Sequence, residues 1–262
     1  MTRMETGGSS NVKVSLELLW GAGERPSRGP KPGLSLDRIV EAAVAIADTD
    51  GLEAVSMRRL STALDAGTMS LYRYVPGKAE LLDLMLDRVQ GEALEASRLE
   101  TADWRAAVTS LARGYLGLYR RHPWLLRVNQ ARTVLGPSSL RSLEAALVPL
   151  KNMGLRDPEL ISVIITVESF TGGIARMEID AVEAAKETGL SHQEFWEQQT
   201  PFLEKAMESG KFPALAALSG DAFSTDFDHF EFGLQRLLDG LEVLVAQRGR
   251  TSGDRTTGDK AP

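Results

Sequence analysis

Ser56 to Lys78 reads SMRRLSTALDAGTMSLYRYVPGK. The spacing predicts two short helices joined by a tight turn at Asp65-Ala66-Gly67. Ser56 is a candidate cap for the first helix, and Pro76-Gly77 ends the second. Leu60, Leu64 and Leu71 fall where they can pack the pair inward. That leaves Thr68, Met69, Ser70, Arg73 and Tyr74 on the outer side of the second helix. Short polar side chains with an Arg and a Tyr on a protruding helix suit a DNA major groove, which admits one helix and presents base edges to its first residues. Tyr72 and Lys78 can reach phosphates. Arg58, on the preceding helix, has the donor fork that grips guanine through two hydrogen bonds.

Working outward, Leu36, Ile39, Val40, Ala43, Val44, Ile46 and Ala47 sit on one apolar helical face, with Ser35 as cap and Gly51 as stop. A long helix is predicted from about Lys78 to Arg98. Upstream, Val12 to Trp20 is a short amphipathic element of undetermined type. Residues 21–33 hold prolines, glycines and the bases Arg25, Arg28 and Lys31. They read as an extended arm, either a solvated linker or a contact to the DNA minor groove or backbone through Arg28 and Lys31.

Downstream, helical periods run through Asp103–Arg121 and Ser138–Met153. Asp157-Pro158-Glu159 reads as a helix start with Asp as cap, continuing to about Lys186. Residues 187–226 mix short helical stretches with Gly and Pro. Phe227–Gln247 is a final amphipathic helix, and 249–262 is a polar tail expected to be disordered. No segment alternates convincingly enough for a strand. The expected fold class is all-α. It comprises an extension and arm (1–33), a helix-turn-helix headpiece (34–80), a helical ligand-binding and dimerisation domain (81–248) and the tail.

The 262 residues contain no cysteine, which excludes a disulfide scaffold, a thiol nucleophile and a Cys-ligated metal. No run of 18 consecutive apolar residues suggests a membrane span and no secretory leader is recognised, so the expected location is the cytoplasm. The net charge is −6. Residues 1–90 are nearly balanced, with 11 basic and 12 acidic, so DNA contact must come from a local patch. The three histidines are far apart and never at i, i+4, which favours structural roles over metal binding or catalysis. No cofactor or metal is expected.

The stretch from Leu36 to Leu86 resembles the DNA-binding domain of tetracycline-repressor-type (TetR family) regulators. The matching pieces are IVEAAVAIADTDGLEAVSMRRLSTAL and TMSLYRYVPGKAELLDLML. The resemblance implies a three-helix headpiece, a connecting helix, a homodimer and ligand-controlled binding to operator DNA. Asp65 stands where the family usually has Gly, and Asp tolerates the left-handed conformation better than most residues. A looser resemblance covers Trp104, Phe170-Thr171, Gly173, Thr200-Pro201 and Phe230–Leu234, and implies a helical ligand-binding domain. Thr133-Val134-Leu135 and Leu111 replace a magnesium-binding histidine and an amide of the tetracycline repressor, which separates this chain from that drug.

Leu111, Tyr115, Tyr119, Trp124, Phe170 and Met177 are candidates for a mostly apolar, partly aromatic effector; aromatics at helical spacing are otherwise core. Glu168, on an apolar helix face, needs a partner across a dimer, on a ligand, or in water at the helix edge. An all-α enzyme is the rival reading, but no acid–base, metal or nucleophile set is spaced to support it.

Overall fold

The computed structural model describes residues 5–6, 11–21, 34–96, 103–130, 133–223 and 226–254. Arg25, Arg28 and Lys31, and the end of the expected tail, lie outside them. Val12–Gly21 forms α1, which settles the undetermined element as a helix. The headpiece comprises α2 (Leu36–Asp50), α3 (Met57–Ala63) and α4 (Thr68–Tyr72). Ser35 and Ser56 cap α2 and α3 by accepting the Arg38 and Arg59 amides, as expected. Ile39, Ala43, Leu60, Leu71 and Val75 are fully buried, so α2 closes over the two short helices.

The connecting helix α5 (Lys78–Ala96) leaves the headpiece and packs against α1, α2, α6 (Trp104–Arg121) and α7 (Pro137–Leu150). Asp103 caps α6 through the Arg105 and Ala106 amides. His122 stops α6, and a 3-10 turn follows over Pro123–Arg127. A two-residue parallel pair, β1 (Glu5–Thr6) with β2 (Val128–Asn129), departs from the strand-free expectation.

Helix α8 (Asp157–Thr188) packs along α6. Its cap is Arg156 rather than Asp157: Glu159 reaches back to the Arg156 amide at 2.8 Å, and Pro158 fits the first turn where no amide is needed. By length and hydropathy alone this helix could cross a membrane; here its buried residues Leu160, Val163, Ile164 and Val167 join the core. Residues 187–226 are more helical than expected, with α9 (His192–Glu208) and α10 (Pro213–Ala216). Helix α11 (His229–Asp254) runs past residue 248 into the expected tail. Leu234 and Leu238 bury its inner face.

Candidate nucleic-acid interface and effector site

The turn between α3 and α4 places Asp65 at φ 49°, the left-handed conformation required at this position. With Leu60 and Leu71 anchored beneath, the outer surface carries Arg58, Met69, Tyr72 and Arg73 exposed and Thr68 and Ser70 half-buried. Met69 is 77% exposed, the highest value among the large apolar side chains of the headpiece. Water gains nothing from such a side chain, but a thymine methyl in the major groove does. Arg58 and Arg59 are both exposed, but Arg59 is held in an ion pair with Asp50, which makes Arg58 the candidate for a base contact. Lys78 stands half-buried in the first turn of α5.

Tyr74 requires a correction. It is half-buried, and its hydroxyl donates to the Leu34 carbonyl at 2.8 Å. That bond ties the end of the second short helix to the chain entering α2. Tyr74 therefore braces the outer surface from behind.

In the second domain, a cavity of about 700 Å³ opens between α6, α8 and the start of α11. Leu116, Ile174, Met177, Phe227 and Phe230 supply its apolar side, and Asp226, Asp228 and His229 line its mouth with polar groups. Arg113 and Arg120 also face it, each paired with a carboxylate: Glu231 for the first, Glu178 for the second.

A profile for bacterial regulatory proteins of the tetR family matches residues 39–85. A second, for the tetracyclin repressor-like C-terminal domain, matches residues 96–245. The chain belongs to the TetR family. It is similar to the HTH-type transcriptional repressor DrrR1 of Streptomyces coeruleorubidus, 59% identical over 244 residues that cover 93% of this chain and 90% of DrrR1. Apo ActR of Streptomyces coelicolor matches at TM-score 0.67 and 30% identity, over 84% of this chain and 99% of ActR. ActR in complex with actinorhodin matches at TM-score 0.65 and 31% identity, over 81% and 99%. This TetR-family chain is thus a DNA-binding transcriptional regulator and not an enzyme.

Of the six residues expected to hold an effector in this TetR-family domain, the cavity brings in Met177 directly. Phe170 is half-buried and stacks on the cavity residue Phe230, with centroids 5.9 Å apart. Leu111, Tyr119 and Trp124 are instead buried in the core, and Tyr115 is half-buried with its ring stacked on Tyr119. Trp124 is already engaged, since its indole N–H donates to Asp48 at 2.8 Å. Tyr119 packs α6 against α8, beside Gly172 and Glu168, the ordinary use of such a stripe, whereas Trp124 packs toward α2.

Glu168 is half-buried and accepts a long 3.4 Å bond from the Tyr119 hydroxyl. Burial raises its pKa, and the Tyr119 bond lowers it by less. Burial and the adjacent carboxylate push the Tyr115 and Tyr119 phenols well up.

The joint between the domains was not visible in the sequence. His122, 5% exposed, sets Nδ1 2.7 Å from Asp48 of α2 and Nε2 3.1 Å from Glu92 of α5. The His122-Pro123 break marked only a helix end; nothing local named its partners, 74 and 30 residues away.

Proposed function

We propose that this regulator is a homodimeric repressor, acting in the cytoplasm, that leaves a near-palindromic operator when a mostly apolar, partly aromatic molecule binds. The observation that carries this reading is the half-open groove of about 700 Å³, whose apolar side is Leu116, Ile174, Met177, Phe227 and Phe230 and which reaches the helix that ends at the interdomain joint. Arg58, Thr68, Met69, Ser70 and Arg73 read the operator, and Tyr72 and Lys78 grip its backbone. Arg28 and Lys31 are candidates for an added contact. The dimer surface is offered by the outer faces of α8 and α11, where Ile161, Ile165, Phe232 and Val243 are exposed.

Ligand and DNA must favour different headpiece spacings, because only differential affinity moves such an equilibrium. A ligand between α6, α8 and α11 displaces α6, and His122 at its end carries that shift to α2 and α5. Met177, Phe227 and Phe230 offer apolar and aromatic contact, and actinorhodin, with which the similar ActR is solved, is the probe. In a mobility-shift assay with the DNA upstream of the regulator's own reading frame, actinorhodin should release the complex. A Met177→Arg variant should keep the shift and lose the release. Release that is identical in wild type and Met177→Arg would remove the effector from this cavity.

A further inference from the structure

Helix α1 precedes both segments matched by the family, which begin at residue 39, yet it is built into the joint between the domains. Ser15 at its centre is 0% exposed, and its hydroxyl donates to Asp83 Oδ2 of α5 at 2.6 Å. Asp83 is itself 3% exposed. At one end of α1 the Asn11 amide donates to Glu80, also on α5, at 3.0 Å. At the other end the Trp20 indole N–H donates to the Leu135 carbonyl, in the segment leading into α7, at 3.3 Å.

One turn along α5, Asp87 is also buried, and accepts the Ser138 and Ser139 amides and the Ser139 hydroxyl at the first turn of α7. The backbone at Gly136 comes so close that a Cβ there would lie 2.4 Å from the Asp87 carboxyl carbon. The connecting helix is thus pinned on one side to α1 and on the other to α7, and Trp20 closes the triangle. A leucine pair would suit plain burial better than a carboxylate and a hydroxyl. Buried polar pairs fix one arrangement where apolar packing tolerates sliding.

We propose that α1 is a strut that sets the rest position of the connecting helix, with Ser15 and Asp83 as its positioning residues, and so fixes the spacing of the two headpieces. The inference rests on the dimeric reading above. It needs no knowledge of the effector to test. The chain lacks cysteine, so Ala45→Cys, on the exposed side of α2, accepts a single nitroxide label.

Pulsed dipolar spectroscopy on the full-length labelled protein then gives the distance between headpieces. The otherwise unaltered labelled protein should show one narrow distribution. Ser15→Ala should widen it and move its mean, whereas Asp83→Asn, which keeps an acceptor for Ser15, should preserve it. Trp20→Phe, at a site 51% exposed, removes the bond to Leu135 without emptying the core and should also widen it. A lower melting temperature with an unchanged distribution in both Ser15→Ala and Trp20→Phe would overturn the strut and leave α1 as mere packing. Absence of any interlabel distance in the parent labelled protein would overturn the dimeric reading itself.

Discussion

His122, at the end of a ligand-domain helix, places its Nδ1 2.7 Å from the Asp48 carboxylate of the headpiece. The Trp124 indole donates to the same oxygen at 2.8 Å. One carboxylate thus holds two side chains of the 3-10 turn region against α2. Asp48→Ala should leave both without that partner, at about 1–3 kcal/mol for each buried group left unsatisfied. Urea unfolding checks this, and a loss below about 0.5 kcal/mol, the range of ordinary surface substitutions, would mean that the joint is not held by Asp48.

Gly233 faces the ring of Phe170 so closely that a Cβ would lie 2.5 Å from two ring carbons. Gly233→Ala should destabilise the protein by about 1–3 kcal/mol through overpacking. In a Phe170→Ala background the same change should be nearly neutral, because the opposing ring is gone. Equal losses in both backgrounds would contradict the clash with Phe170, since the helix backbone itself favours alanine over glycine.

Glu168 gives a pH signature. Burial raises its pKa above the ordinary 4.5, and Tyr119 offsets part of that. A carboxyl raised in the fold contributes stability below its unfolded value and loses it as pH rises through the folded value. Glu168→Gln should therefore be more stable than wild type at neutral pH. The advantage should vanish below about pH 4.5. Melting curves across that range read the difference, and a pH-independent offset would contradict the cause given.

For DNA, Arg58→Ala should reduce discrimination between operator and random duplex by about 1–3 kcal/mol, the worth of one bidentate base contact. Lys78→Ala should weaken both alike and lower the salt slope by about one. A change of sequence preference from Lys78→Ala alone would reverse these roles.

The headpiece was legible because its signals are local. Ser35, Ser56, Asp65 and the buried Leu60 and Leu71 each act within a few residues of themselves. Tyr74 was misplaced because helical spacing shows which side a residue leaves from and not that a carbonyl 40 residues away awaits its hydroxyl. The effector residues suffered the same limit. Tyr119 and Trp124 fit a pocket and a core equally well by period, and the distant partners Glu168 and Asp48 settle where they go. The polar links of α1 to α5 and to the chain before α7 span 68 to 115 residues, beyond any local pattern.

Selection from a random duplex pool, followed by sedimentation of the bound complex, asks whether two copies read DNA together through the α3–α4 surface. Wild type should enrich one near-palindromic site with half-sites about one helical turn apart, bound by two chains. Ile165→Glu, at a site 55% exposed on α8, should yield monomers that enrich nothing. Enrichment of a single asymmetric half-site by wild-type monomer would contradict the account.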